Sequence, residues 1–117
     1  MIGKKPVWPA PQTTEEAKWR ITIDESVYGA FSNIPFDHQT PRIERYPPFT
    51  SRRGEIKQPT VVFGRTCDSG DCLGDAIQLP EVHVGDTLQI PDMGAYTTVT
   101  ASEFNGFPKP RRVYLLE

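Results

Sequence analysis

The chain has 117 residues and a formal net charge of −2, and this length is enough for one domain of ordinary size. Its 12 prolines and 9 glycines exclude a helical bundle or a long coiled coil, because Pro removes a backbone donor and Gly weakens a helix interior. The small net charge offers no electrostatic signature of nucleic-acid or anionic-membrane binding, and no apolar run approaches the ~18 residues of a membrane span. A hydrophobic share of 37% permits a compact core, but the length leaves no room for a large α/β catalytic barrel.

The first 18 residues are interpreted as a lead-in, and residues 19–117 as the folded domain. The lead-in has three prolines and no strand-like run, and Thr13 and Glu16 have the spacing of a capping box that could open one helical turn. A surface linker with a chance match is the simpler interpretation. The N-terminus lacks the apolar core of a signal peptide, and two cysteines five positions apart do not make a disulfide framework. We therefore expect a cytoplasmic protein.

Strand signals begin directly after the lead-in. Residues 19–23 alternate in polarity, and residues 27–34 are aromatic and β-branched enough for a second strand, with Gly29 a bulge or a point of close approach. Further short strands, separated by turn residues, are predicted at 60–63, within 76–86, where Val82 and Val84 alternate, and at 87–90, 96–100 and 112–116. This spacing predicts an all-β fold, a Greek-key-type barrel or sandwich with short helical turns and one long loop.

The long loop is residues 37–59. Four arginines and one lysine outnumber two glutamates in it. A loop of this length in a compact domain is functional or disordered, and its charge alone favours a solvated face.

The segment 64–75, GRTCDSGDCLGD, follows the strand predicted at 60–63 and combines three glycines, three aspartates and two cysteines. Because Gly lets the backbone come close to a ligand, Cys67 could act there as a nucleophile or acid while Asp68 binds an amine. An ordinary Asp/Gly turn with two incidental thiols explains the same residues equally well.

Two kinds of metal site compete for this segment. Cys67, Cys72, His38 and His83 could bind a metal, but the Cys-x4-Cys spacing has no second matching pair. A calcium loop needs alternating oxygen ligands and a closing Glu, an order that the aspartates do not supply. We expect no metal, and we expect each histidine to have a surface or structural role.

Five segments, taken in order, make the chain recognisable: VYGAFSNIPFDH, GRTCDSGD, LPEVHVGD, MGAYT and ASEFNGF. Together they resemble the C-terminal β-domain of the ornithine/lysine/arginine decarboxylases, pyridoxal-phosphate-dependent enzymes of the alanine-racemase-like fold type. The resemblance runs from about Ile2 to the C-terminus.

The resemblance implies a two-domain enzyme of which this chain is one part. In that family an α/β barrel carries the lysine that binds pyridoxal 5'-phosphate, and the β-domain closes the site in an obligate dimer. The cofactor would then be attached through a lysine on a separately encoded barrel chain, in a heterodimer or a dimer of heterodimers. The implied substrate is a small amino acid, ornithine or lysine, that yields a diamine and carbon dioxide.

The resemblance also assigns roles to individual residues. Cys67 matches the family's catalytic cysteine, which helps control protonation of the carbon that has lost carbon dioxide. Asp68 matches the carboxylate that receives the substrate's distal amine, and Asp37 matches a second acidic group there. Carboxylates at this point would offset the desolvation of an ammonium in a closed pocket.

Three aromatic residues are matched as well. Tyr28 matches a tyrosine that crosses the same interface, Tyr96 one that contacts the cofactor phosphate, and Phe104 a pocket aromatic. The chain departs from the family pattern at Arg65, where proline is common, and at Cys72, a second thiol. A cation beside the Cys–Asp turn could lower the thiol pKa or partly neutralise Asp68.

Three hypotheses follow. The chain is the small subunit of a split decarboxylase, inactive alone; or it is a domain taken from a single-chain enzyme; or it is a non-catalytic relative that binds a decarboxylase or a regulator. The retained set of polar side chains disfavours the third, because a pure interaction module has no physical need for them together.

Overall fold

The computed structural model describes residues 1–7, 17–37, 41–46, 56–93 and 97–115, with the backbone only at residues 36 and 37. The first sheet has four strands, in the spatial order β1 (Gly3–Pro6), β2 (Trp19–Thr22), β4 (Gln58–Phe63) and β5 (Cys72–Leu79). The second sheet pairs β3 (Glu44–Tyr46) with β6 (Thr87–Gln89). The described helical segments are α1 (Asn33–Asp37) and a 3₁₀ turn at Phe104–Gly106.

The pairing in the larger sheet is mixed. Strand β2 is antiparallel to β1 and parallel to β4, while β4 and β5 are antiparallel and shift register near Val62. The predicted all-β class is confirmed in its coarse form, since the described residues form mostly strands with very little helix. Within those ranges both sheets are open and no barrel is closed.

The core lies on one face of the central strands. Ile21 of β2 and Val62 of β4 are cross-strand partners and both are fully buried, and Leu79 of β5 joins them. Ile23 continues the buried face of β2, as the alternation at 19–23 predicts. Leu73, near the start of β5, belongs to the same core, so the loop between β4 and β5 connects two packed strands.

Several predicted strands are wrong. Residues 27–32 form turns that lead into α1, because the carbonyl of Ser26 accepts the amides of Gly29 and Phe31 and closes a turn in place of a ladder. Residues 82–84 are also not a strand, since the His83 amide donates to the Asp86 side chain. Turns occupy 97–99 and a bend follows at 100, whereas 112–115 have no regular structure and are exposed.

Two strands lie where none was predicted. Strand β1 falls in the lead-in, where Lys4 lies over the Trp19 ring and forms an ion pair with Glu81. Strand β3 falls inside the predicted loop 37–59 and is held by β6. The candidate capping box at 13–16 lies outside the described residues. In the part of the chain that the structure describes, no helix has the length and apolar character needed to span a membrane.

Candidate functional site

The loop 64–71 joins β4 to β5 and carries Cys67 and Asp68. Backbone hydrogen bonds close it: the Gly64 amide donates to the Asp71 carbonyl over 2.7 Å, and the Asp71 amide donates to the Asp68 carbonyl over 2.9 Å. The turn composition of the sequence thus forms a compact loop at one end of the four-stranded sheet. Cys72, in contrast, is the first residue of β5.

Asp68 and Tyr28 are in direct contact. The Tyr28 hydroxyl donates to Asp68 Oδ2, and the Gly70 amide donates to Oδ1 over 2.9 Å. The Tyr28 bond, followed by the Gly70 bond, lowers the pKa of the Asp68 carboxyl below its usual range. The same Tyr28–Asp68 bond raises the pKa of the Tyr28 phenol. Asp68 is therefore an oriented carboxylate at neutral pH, and Tyr28 remains a neutral donor.

The 3₁₀ turn at Phe104–Gly106 completes this cluster. The Phe104 ring lies 4.2 Å from the Tyr28 ring between centroids, tilted by 30°. The side-chain Nδ2 of Asn105 donates to Cys67 Sγ over 3.1 Å, and Cys67 itself is exposed. The backbone of Asn105 has a φ of 61°, a left-handed conformation that Asn tolerates. Sequence reasoning missed Asn105 as a site residue, although the Asn-Gly pair of the FNGF run was the available signal.

Asp71 is the second residue of the site that the sequence did not reveal. Its side chain is 1% exposed and accepts four hydrogen bonds, from Ser26 Oγ, the Val27 amide, and the amide and hydroxyl of Thr66. It therefore links the turn that bears Tyr28 to the loop that bears Cys67 and Asp68. No local pattern distinguishes this aspartate from an exposed turn residue.

Arg65 contacts the C-terminal segment. Its Nη2 donates to the Pro108 carbonyl over 3.0 Å, and its guanidinium lies 4.3 Å from the centroid of the Phe107 ring. These contacts place Arg65 against the segment that follows the 3₁₀ turn.

The two remaining predicted site residues, Asp37 and Tyr96, fall where the structure describes no side chain. Asp37 is the last residue of α1, and its side chain, like the whole of Tyr96 and His38, lies outside the described residues. Over the described ranges, no three His, Cys, Asp or Glu side chains converge into a group that could hold a metal ion. The described cluster is therefore Cys67, Asp68, Tyr28 and Phe104, together with Asn105 and Asp71.

The two thiols should react at different rates. Cys67 is exposed, whereas Cys72 is partly buried and burial raises its pKa, so Cys72 has less thiolate available for attack. We expect iodoacetamide to label Cys67 at least about tenfold faster than Cys72 in the native chain, as measured by peptide mass mapping. The Cys67→Ser variant should retain only the slow reaction, and a denaturant should abolish the difference. Equal native rates would contradict this geometry.

Known proteins match this chain in both sequence and structure. The family model described as "Pyridoxal-dependent decarboxylase, C-terminal sheet domain" matches residues 4–94. The ornithine decarboxylase of Panagrellus redivivus is 38% identical over 115 residues, which cover 93% of this chain and 26% of that protein. Antizyme inhibitor 2 of Xenopus laevis is 40% identical over 114 residues, which cover 92% of this chain and 24% of that protein.

A solved structure agrees with both sequence matches. The arginine decarboxylase of Paramecium bursaria Chlorella virus, bound to agmatine, superposes with a TM-score of 0.77 at 33% identity. The match covers 92% of this chain and 26% of the viral one. The chain thus spans about a quarter of the length of the relatives that it matches. It belongs to the family of pyridoxal-dependent decarboxylase C-terminal sheet domains.

Proposed function

We propose that this chain is the sheet domain of a basic amino-acid decarboxylase, which converts ornithine or lysine into a diamine and carbon dioxide. One observation carries the proposal. The Asp68 carboxylate is ionised and oriented by the Tyr28 hydroxyl, beside the exposed thiol of Cys67. The Greek-key arrangement of the strands is part of the same proposal.

Asp68 is proposed to bind the substrate's distal ammonium. Its oxygens already accept from Tyr28 and Gly70, and each retains a further lone pair for an external donor. An ammonium that leaves water needs such a charged partner, because a charge-assisted hydrogen bond offsets part of the desolvation cost. By resemblance, Asp37 at the end of α1 would supply a second carboxylate. The Phe104 ring, packed on Tyr28, would cover the aliphatic part of the substrate.

Cys67 is proposed to hold a proton near the carbon that loses carbon dioxide. Its thiol is exposed, and the side-chain Nδ2 of Asn105, which donates to the sulfur over 3.1 Å, favours one direction of the Cys67 side chain. A thiol held in this way can deliver its proton to one face of a reacting carbon.

The described cluster contains no lysine that could bind pyridoxal phosphate, so another part of the enzyme would have to hold the cofactor. The cofactor supplies the electron sink that decarboxylation requires. The cluster itself offers a carboxylate and a thiol. Two cationic residues of this chain have other partners: Lys4 forms an ion pair with Glu81, and Arg65 donates to the Pro108 carbonyl. By resemblance, Tyr96 would contact the phosphate. We propose that a barrel domain on a separate chain holds the cofactor through its lysine, and that this chain completes the site and the dimer interface.

Exposed apolar side chains are consistent with such an interface. Val99, Val113, Tyr114 and Leu115 are between 70% and 85% exposed in the chain by itself. A barrel partner would cover residues of this kind.

Activity on assembly tests the proposal. The 117-residue chain would be co-expressed with the barrel domain of the Panagrellus redivivus ornithine decarboxylase, supplied as a separate chain without that enzyme's own matching segment. We expect carbon dioxide release from ornithine by the assembled protein and none from the chain alone. The unmodified Panagrellus enzyme is the positive control. A folded assembly that turns over neither ornithine, lysine nor arginine would overturn the proposal.

A second candidate is a non-catalytic module that regulates a decarboxylase. The 40% identity to a protein named antizyme inhibitor 2 favours it. It predicts that the chain binds a barrel domain but gives no turnover in the same assembly. The oriented Asp68 and the exposed Cys67 thiol favour the catalytic proposal, because neither is needed for binding alone.

A further inference from the structure

Asp71 occupies the junction between the two segments that form the candidate site. It is the last residue of the loop 64–71, directly before β5, and it is among the most buried side chains of the described structure. We propose that Asp71 is a positioning residue that sets the contact between Tyr28 and Asp68, and through it the preference for a substrate with a distal ammonium. This inference rests on the proposed function.

Asp71 is hydrogen-bonded to the segment that carries Tyr28. Asp71 Oδ2 accepts from Ser26 Oγ over 2.9 Å, and Oδ1 accepts from the Val27 amide over 3.0 Å. Ser26 Oγ in turn accepts from the Tyr28 amide over 3.0 Å. The backbone position of Tyr28 is thus two hydrogen bonds away from the Asp71 carboxylate.

Asp71 is also hydrogen-bonded to Thr66, next to the two site residues of its own loop. Asp71 Oδ2 also accepts from the Thr66 hydroxyl over 2.6 Å and from the Thr66 amide over 3.1 Å. Cys67 and Asp68 follow Thr66 directly, so the carboxylate holds the start of the segment that carries them. The segment that carries Tyr28 and the segment that carries Asp68 are therefore both held by the Asp71 side chain.

An asparagine cannot replace this carboxylate. All four groups around Asp71 donate to it, two of them backbone amides on opposite oxygens. The single amide oxygen of Asn can replace only one of the two carboxylate oxygens, either Oδ1, which accepts from Val27, or Oδ2, which accepts from Ser26 and Thr66. Its NH₂ group would face either the Val27 amide or the Thr66 amide, and one buried N–H would lose its acceptor.

The two segments remain adjacent without Asp71. The Arg65 amide donates to the Glu25 carbonyl over 3.1 Å, and the Ile23 amide donates to the Phe63 carbonyl over 3.0 Å. Loss of the carboxylate should therefore shift Tyr28 relative to Asp68 while the sheet stays paired.

Kinetics of Asp71→Asn in the assembled enzyme test this inference. We expect the KM for ornithine to rise about tenfold, while the inhibition constant of norvaline, which has the same carbon chain but no distal amine, changes less than about twofold. Asp75→Asn, an exposed carboxylate in the middle of β5, is the matched control and should leave both constants unchanged. Equal weakening of ornithine and norvaline would overturn the inference, because a merely structural role predicts it.

A spectroscopic readout separates this inference from the proposed function. In the 117-residue chain, the phenol titration of Tyr28 is isolated by subtracting the Tyr28→Phe variant. Because the Asp71 charge itself raises the pKa of the Tyr28 phenol, the test uses Ser26→Ala, which keeps that charge and removes the hydrogen bond to the Tyr28 amide. It should shift the titration to lower pH, and an unshifted titration would overturn the inference even if the assembly never turns over. Asp71→Asn should shift the titration further in the same direction, because it removes both the charge and part of the hydrogen bonding. Ser26→Ala takes the place of Asp71→Asn in the kinetic test if that variant does not fold.

Discussion

Replacing Asp68 with asparagine is expected to raise the KM for ornithine by about 10- to 100-fold in the assembled enzyme, with a smaller change in kcat. Hydrogen bonds to charged groups contribute about 1.5–3 kcal/mol, and each 1.4 kcal/mol corresponds to about a factor of ten. The variant retains an acceptor for Tyr28 but loses the negative charge that the Tyr28 and Gly70 bonds stabilise. The ground-state affinity for an ammonium should therefore fall more than the rate of bond cleavage.

The control for this experiment is chemical as well as genetic. Norvaline lacks the ammonium that Asp68 is proposed to bind, so its inhibition constant should be nearly the same in wild type and in Asp68→Asn. Asp75→Asn again controls for the loss of one negative charge. If Asp68→Asn bound ornithine as tightly as wild type, the assigned role of Asp68 would be wrong.

Replacing Gly64 with alanine is expected to destabilise the domain strongly. A Cβ at this position would lie well inside van der Waals contact of all three terminal atoms of the Asp71 side chain. Asp71 is buried and holds four hydrogen bonds, so it cannot move aside cheaply. We expect the free energy of unfolding to fall by about 3 kcal/mol, measured by urea denaturation.

Gly3→Ala is the matched control for Gly64→Ala. Gly3 lies in the large sheet, and a Cβ there would meet only Thr22 atoms at 3.6 Å, an ordinary contact distance. Its effect should stay within about 0.5 kcal/mol. Equal destabilisation by the two alanines would mean that the close approach of Gly64 to Asp71 does not contribute specifically to the free energy of unfolding.

The parts of the fold that depend on local pattern were predictable. Alternation at 19–23 identifies the buried face of β2, and the apolar run at 60–63 identifies β4, because a strand in the core repeats its burial every second residue. The ordered motifs also singled out Cys67, Asp68, Tyr28 and Phe104. The structure brings these four residues into one cluster.

What could not be predicted depends on partners far away in the chain. The aromatic and β-branched residues of 27–34 favour a strand. The segment forms turns instead, because the Val27 amide donates to the side chain of Asp71, 44 positions later. Strand β3 exists because β6, which is distant in the sequence, pairs with it. The burial of Asp71 has the same origin, since its donors come from two separate segments.

The central claim is that Asp68, held by Tyr28, binds the distal ammonium of a basic amino acid. A crystal structure of the assembled enzyme with its diamine product tests this most directly. The account predicts one diamine nitrogen within about 2.7–3.2 Å of an Asp68 carboxylate oxygen, with the Tyr28 hydroxyl still bound to that carboxylate. A diamine whose nitrogens are both paired elsewhere, with Asp68 out of reach, would contradict it.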